Sequence, residues 1–228
     1  MEYCDIGTIM NKHPETFNYH HNTYLINYFI QNILSDKYKN YQVNTEKSNP
    51  CLLQLYSLPY EIKNEIAKIL FRQAFKGLQY IHKLCICHKD IKPENFVFSS
   101  EDSLLKFIDF SIGKILNPLE KDILINEPGG SIHFQAPELF DKMDSFYDPF
   151  KYDVWSLGIT MYIFLVEQFP FDSDSELELQ IMIAEKEINY PKELDDKVVS
   201  LFTKILTKNP DERLTNIDDI LKHPYFNE

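Results

Sequence analysis

The sequence predicts a mostly α-helical fold, α+β overall, in which one small β-hairpin sits among packed helices. Three observations point to it. From Tyr60 onward, Ile62, Ile66, Ile69, Leu70, Phe75, Leu78 and Ile81 recur at helical spacing. Between residues 96 and 108, Phe96-Val97-Phe98 and Leu104-Leu105-Lys106-Phe107-Ile108 flank the polar turn Ser99-Ser100-Glu101-Asp102, the pattern of a hairpin. Beyond residue 153, apolar stretches are punctuated by Pro170, Pro191, Pro210 and Pro224, which divide them into separate helices.

Taken in order, residues 1–10 read as extended. Residues 11–50 are rich in Asn, Tyr, Lys and His and hold a helix near 23–35, then a loop at 36–50. On the long helix from Tyr60, Ala74 and Gly77 are small enough for another element to approach closely. Cys85-Ile86-Cys87 reads as a short strand, the hairpin follows, and a loop runs to about Pro137. Helices are expected at about 153–167, 175–186, 195–207 and 216–222. Ser175 with Glu178 three residues later is a capping box for the second of these. The most apolar run, Val154 to Val166, is broken by Ser156, Gly158 and Thr160. It is shorter than the roughly 20 apolar residues that span a bilayer, so it is expected to be a buried core helix.

Composition narrows the function classes. Of the 228 residues, 44% are hydrophobic and 25% charged, ordinary for a globular protein with a sizeable core. A net charge of −12 argues against a nucleic-acid partner, which would need clustered Lys and Arg. The four cysteines, at 4, 51, 85 and 87, form no C-x-x-C and suggest no disulfide framework. Cys85-x-Cys87-His88 is too tightly spaced for a structural zinc site. The N-terminus lacks the charged and apolar regions of a secretion signal, so no membrane partner and a cytoplasmic location are expected.

The residues that carry chemistry are His88-Lys89-Asp90-Ile91-Lys92-Pro93-Glu94-Asn95 and Asp109-Phe110-Ser111. They bring two carboxylates, an amide and a lysine into the order needed to handle a phosphoryl group and its magnesium ions. This pattern resembles the catalytic loop and metal-binding D-F-G of protein kinases. Ala136-Pro137-Glu138 matches the A-P-E of that family, and Asp153-Val154-Trp155-Ser156-Leu157-Gly158 matches the start of its long buried helix. Met1 to Gly7 looks like the hinge between the two kinase lobes.

The resemblance implies a partial kinase domain over 1–228: hinge 1–7, lobe insertion 11–50 and catalytic core 60–226. It implies a kinase-like C-terminal lobe, with the hairpin carrying the catalytic and metal loops and the N-terminal lobe absent. Asp90 would be the catalytic base, Lys92 would reach the transferred phosphate, and Asn95 and Asp109 would bind Mg²⁺. The backbones of Glu2 and Cys4 would bond the adenine of ATP, Met1 would be the gatekeeper, and Val97 would floor the base. Lys92-Pro93-Glu94-Asn95 marks the serine/threonine class, with protein hydroxyls as substrates. His88 and Phe110 would be supports. Arg213 would form a buried bidentate bridge to Glu138, and Asp153 would hold the catalytic-loop backbone. Gly130-Ser131-x-x-Phe134-x-Ala136-Pro137-Glu138, the spacer 139–152 and Gly158 through Phe171 look most like the calcium/calmodulin-dependent protein kinase kinases. Calmodulin is the partner that group implies, and no binding segment for it is found before the chain ends.

Several positions depart from the family pattern. The six glycines include no G-x-G-x-x-G phosphate lid, and no V-A-I-K strand is present. The chain alone is therefore expected to be inactive, since losing one preorganised donor already costs about 10²–10³ in rate. It is also expected to expose the apolar surface that a small lobe covers. Lys89 replaces the usual arginine, and residues 112–130 contain no Ser, Thr or Tyr. No phosphorylation within 112–130 is expected, and Glu120, Asp122 or Glu127 would supply a fixed negative charge near Lys89. Ser131 would help align Asp90 and Lys92. Ser111 stands where kinases have Gly and is expected not to need a positive φ. Glu94 reads equally as an attractor of basic substrate residues or as a solvated charge.

Two functions compete on this sequence. One is a serine/threonine protein kinase seen without its small lobe. The other is a catalytically inactive pseudokinase or scaffold that binds proteins through the large lobe. Intact Asp90, Lys92, Asn95 and Asp109 favour the first, and the missing phosphate lid favours the second.

Overall fold

The computed structural model describes residues 7–8, 10–12, 19–21, 23–34, 38, 58–117, 119, 124–127, 129–140 and 146–227. Its centre is helix α3, Pro149–Val166, buried on nearly every side. An apolar run with no polar face has nowhere stable to lie except inside a core. Helix α2, Tyr60–Lys83, packs across it through Phe71, whose ring lies 5.6 Å from that of Phe164. On α2, Ile62, Ile66, Leu70, Phe75 and Leu78 are buried as their spacing predicts, while Ile69 and Ile81 are only partly covered.

The helix predicted at 153 starts four residues earlier. Asp148 caps it by accepting the amides of Phe150 and Lys151, at 2.8 and 3.3 Å, and Pro149 occupies the first turn. Asp followed by Pro is a helix-start signal that apolar periodicity alone overlooks. At the other end, Glu167 adopts φ 61° and its carboxylate lies 3.5 Å from Lys63 Nζ.

The remaining helices are α1 (Thr23–Asn32), α4 (Glu176–Glu185), α5 (Asp196–Ile205) and α6 (Ile217–Leu221). Each is slightly shorter than its predicted span. The capping box at α4 forms by half: Ser175 Oγ accepts the Glu178 amide at 3.4 Å, but the Glu178 carboxylate bonds Ser173 Oγ instead. Behind α4, Lys208 donates to the Ile183 carbonyl and lies over the Phe171 ring at 4.1 Å. Burial there brings its pKa down to about 8.

The hairpin is present as β5 (Phe96–Ser99) and β6 (Leu104–Phe107), with Phe96 opposite Phe107. A third strand, inside the stretch 1–10 that reads as extended, joins it in a pairing the sequence did not suggest. Strand β1, Gly7–Thr8, pairs antiparallel with β5, placing Thr8 opposite Val97. Two further pairs join β2 (Met10–Lys12) to β3 (Tyr19–His21) and β4 (Ile86–Cys87) to β7 (Lys114–Ile115). β7 and short 3₁₀ turns at 132–134 and 137–139 divide what read as one loop.

The sheet is locked to the helices by aromatic contacts. Phe98 lies 5.4 and 5.2 Å from the rings of Tyr28 and Phe29 on α1. Gly77 lets β6 approach α2, because a Cβ there would stand 2.9 Å from Phe107. Among the described residues no helix is long and apolar enough to cross a membrane.

Candidate active site

The β4–β7 pair and the β5–β6 hairpin hold the two chemistry-bearing segments between them. His88 to Asn95 leaves β4 and enters β5, and Asp109 follows directly on β6. The backbone of this region is tied down by one buried carboxylate. Asp153, on α3, accepts the amides of His88 and Lys89 at 2.8 Å each, as expected for a residue that holds backbone. Its Oδ2 is also 3.0 Å from His82 Nε2 on α2, a partner that nothing in the sequence pattern marks. These bonds sustain Lys89 at φ 68°, a left-handed conformation that a side-chain-bearing residue does not adopt without support.

His88 joins the two segments. Its Nδ1 accepts the Asp90 amide at 3.3 Å while Nε2 donates to the Ile108 carbonyl at 3.0 Å. One acceptor and one donor nitrogen are what the neutral imidazole offers. Burial agrees, pushing the His88 pKa below its ordinary value. Phe110 packs on this ring at 4.5 Å. The supporting roles expected of both residues match this geometry.

Asp90 gathers three donors on its carboxylate. Lys92 Nζ lies 2.7 Å and Asn95 Nδ2 3.0 Å from Oδ2, and the Ser131 amide lies 3.2 Å from Oδ1. Lys92 Nζ also donates to Ser131 Oγ at 3.1 Å, so Ser131 touches both Asp90 and Lys92 as its position suggests. The approach of residues 129–131 to Asp90 depends on glycine. A Cβ at Gly130 would collide with Asp90 Oδ1, and one at Gly129 with the Tyr152 hydroxyl. That Gly-Gly pair is the sequence signal for a close contact, although it does not name the partner.

Asn95 spends its amide N–H groups on Asp90, at 2.7 Å to the backbone carbonyl and 3.0 Å to the carboxylate. Its side-chain oxygen, Oδ1, keeps no protein partner among the described residues, while its backbone carbonyl is bonded. Asp109 is exposed at φ 62°, and the Ser111 hydroxyl and amide lower its pKa. The positive φ thus falls on Asp109 and not on Ser111. The Ile108 amide bonds the Asn95 carbonyl at 3.0 Å, which sets the two residues on adjoining strand ends. An exposed carboxylate and a free amide oxygen suit Mg²⁺, which takes one or two protein oxygens and leaves the rest to water and phosphate. Asn95 and Asp109 are therefore the residues that could hold it.

Val97 is half-buried in the middle strand, between Thr8 and Lys106. Glu2 and Cys4, with Met1, lie outside the described residues. Ile108, Phe110 and Ile112 are exposed beside the site.

The segment beyond is fastened from both sides. Glu127 lies 3.1 Å from Lys89 Nζ and 2.8 Å from Lys114 Nζ, and these ammonium groups hold its pKa down, Lys114 more strongly. Of the three acids expected near Lys89, Glu127 meets it, and Glu120 and Asp122 lie outside the described residues. The Tyr147 hydroxyl, which the sequence did not mark, bonds the Glu127 carbonyl at 2.9 Å. Further on, Arg213 forks onto Glu138 at 2.8 and 2.7 Å and stacks 5.0 Å above Trp155. Ser156 Oγ donates to the Phe134 carbonyl at 2.8 Å. Cys87 is buried, with its thiol pushed up to about 11.

This geometry agrees with what the chain is similar to. The family model for the protein kinase domain matches residues 12–226. A probable serine/threonine-protein kinase of Dictyostelium discoideum is 36% identical over 160 residues, 70% of this chain and 18% of that protein. The serine/threonine-protein kinase ppk34 of Schizosaccharomyces pombe is 32% identical over 164 residues, 72% and 45% of the two. The CBL-interacting serine/threonine-protein kinase 15 of Arabidopsis thaliana is 30% identical over 166 residues, 73% and 38% of the two. The chain spans less than half the length of each of these relatives.

Proposed function

Because the chain belongs to the protein kinase family, we propose that it forms the large-lobe half of a serine/threonine protein kinase. Such an enzyme transfers the γ-phosphate of ATP to hydroxyls of protein substrates. The observation that carries this reading is the set of donors on Asp90: Lys92, Asn95 and the Ser131 amide. A scaffold has no chemical need to orient one carboxylate this closely.

In this reading Asp90 accepts the substrate hydroxyl proton as the nucleophile attacks. Lys92 holds Asp90 in place and reaches the transferred phosphate. Asn95 and Asp109 would hold Mg²⁺, which when bound would neutralise charge developing on the transferred phosphate. The resemblance assigns the adenine edge to the backbones of Glu2 and Cys4 and the apolar floor beneath it to Val97. The sequence features around 130–171 support the calcium/calmodulin-dependent kinase kinase group as the nearest subgroup, and a cytoplasmic location fits the same proposal.

The scaffold reading rests on the absence of a G-x-G-x-x-G segment from the sequence. The test is phosphate transfer with and without a small lobe. The chain alone should bind Mg-ATP weakly and transfer none. Joined to a small lobe with a glycine-rich loop and its lysine, it should phosphorylate serine or threonine. Asp90→Asn should then slow transfer about 10²–10⁴-fold, the range for losing a positioned base. Tight Mg-ATP binding by the joined protein without any transfer would favour the scaffold.

A further inference from the structure

We propose that Gln135 is a positioning residue: its side-chain amide pins the two peptide planes of the Gly129-Gly130 pair and so aims the Ser131 amide at Asp90. The inference deepens the kinase reading above and takes its purpose from it, while its first test does not depend on that reading.

The need for a pin comes from the glycines themselves. The collisions a Cβ would make with the Tyr152 hydroxyl and with Asp90 admit only glycine at 129 and 130. Two adjacent residues without Cβ atoms leave the peptide planes beside them free to turn, because neither backbone is sterically restricted. Packing alone then does not decide which way the Ser131 N–H points.

A peptide unit is planar and trans, so its carbonyl and its N–H point in opposite directions. The Gly130 carbonyl and the Ser131 N–H are the two ends of one such plane. Gln135 Nε2 donates to that carbonyl at 2.7 Å, and at the other end the Ser131 N–H reaches Asp90 Oδ1 at 3.2 Å. The preceding plane is held the same way, more weakly. Nε2 lies 3.4 Å from the Gly129 carbonyl, and the Gly130 N–H donates to the Lys89 carbonyl at 3.0 Å. Each plane is thus gripped by Gln135 at one end and by the catalytic loop at the other.

The pin has a firm base. The Gln135 N–H donates to the Ile132 carbonyl at 3.0 Å, and the flanking Phe134 and Ala136 are buried. The Phe134 carbonyl is held in turn by Ser156 on α3. Position 135 is one that the pattern Gly130-Ser131-x-x-Phe134-x-Ala136 leaves open, so the motif itself calls for no amide there. The grip requires an N–H donor, since a carboxylate of the same size would set its lone pairs against two carbonyls.

Amide hydrogen exchange in the full chain reads the pin without nucleotide or catalysis. Gln135→Met keeps the length and loses the donor, and should speed exchange at Gly130 and Ser131 by about 10-fold, the loss of roughly one hydrogen bond. Gln135→Lys restores a donor and should recover part of the protection. Gln135→Glu should match methionine at about pH 8. Measured against the unaltered chain, it should tighten towards about pH 5, where the facing carbonyls favour the protonated, donating acid. Amides of α5 and the melting temperature should change little in all three, which separates a local loosening from a general one. In the two-lobed protein, Gln135→Met should lower kcat about 10-fold with the KM for ATP nearly unchanged. Unchanged exchange in Gln135→Met would overturn the proposal, as would equal loosening by lysine and methionine, or a loosening shared by α5. Looser exchange with kcat intact would also overturn it, leaving a pin with no catalytic purpose. If the two-lobed protein transfers nothing while the exchange results hold, the kinase reading falls and the pin stands. If transfer proceeds and exchange is unmoved, the pin alone falls.

Discussion

Asp90 shows how little room a single side chain is given. Its three donors and the collision a Cβ at Gly130 would cause leave its carboxylate one position. Gly130→Ala is therefore expected to displace Asp90 and break its bond to the Ser131 amide. In the two-lobed protein this should lower kcat by about 10²-fold or more, as misplacement near reacting atoms does, with the melting temperature nearly unchanged. Ser111 has the opposite character. Since the left-handed φ belongs to Asp109, Ser111→Gly should change the transfer rate less than about threefold, because no strain is relieved there. A large gain would mean that Ser111 is strained. The order of Asp90, Lys92, Asn95 and Asp109 was legible as chemistry because family motifs fix it in sequence. The contributions of His82 and Tyr147 were not, since His82 acts through Asp153, 71 positions away, and Tyr147 through Glu127, 20 positions away, contacts made only on folding.

Elements were legible where one physical signal dominates. The period of α2, the alternation and turn of the hairpin, and the apolar density of α3 each identify one structure. Boundaries and pairings were harder, because they depend on partners. The α3 start was missed because Asp148 and Pro149 act through capping and not through apolar pattern. Asp148→Ala should cost about 1 kcal/mol in urea unfolding, the usual value of an N-cap, with no change in substrate preference. The β1–β5 pairing was invisible because two-residue strands carry no period, and β7 for the same reason. Half of the α4 capping box failed because Ser173 competes for Glu178. Sequence spacing permits a bond, and the neighbours decide whether it forms.

Over the whole molecule, stability should depend on pH in a stated direction. His88 has a folded pKa below its ordinary 6.5, so below that value the unfolded chain binds more protons than the native one. Its contribution is complete above 6.5 and is lost as pH falls through the folded pKa. Asp109, Glu127 and Asp211 are depressed too, and they add a decline only through the lower carboxylate range. Because these acids are exposed, that second decline should be small. Urea midpoints measured from about pH 8 down to 5 should stay flat and then fall, and His88→Gln should shrink the first fall, leaving the share of His223, which burial also depresses. A midpoint that rises on acidification would contradict the neutral histidine. Stability should also respond to the Glu138–Arg213 pair, where Arg213→Met should cost about 3–5 kcal/mol because it removes the bidentate cation from a buried carboxylate.

That pair has a further consequence, in time. Its two residues are 75 positions apart, so the link closes only after the intervening helices have come together. Contacts made late mainly retard unfolding and leave the folding rate alone. Stopped-flow mixing of Arg213→Met should show a steeper loss of native lifetime than of refolding speed. The ion pair would then govern how long each folded molecule persists, more than how often one forms.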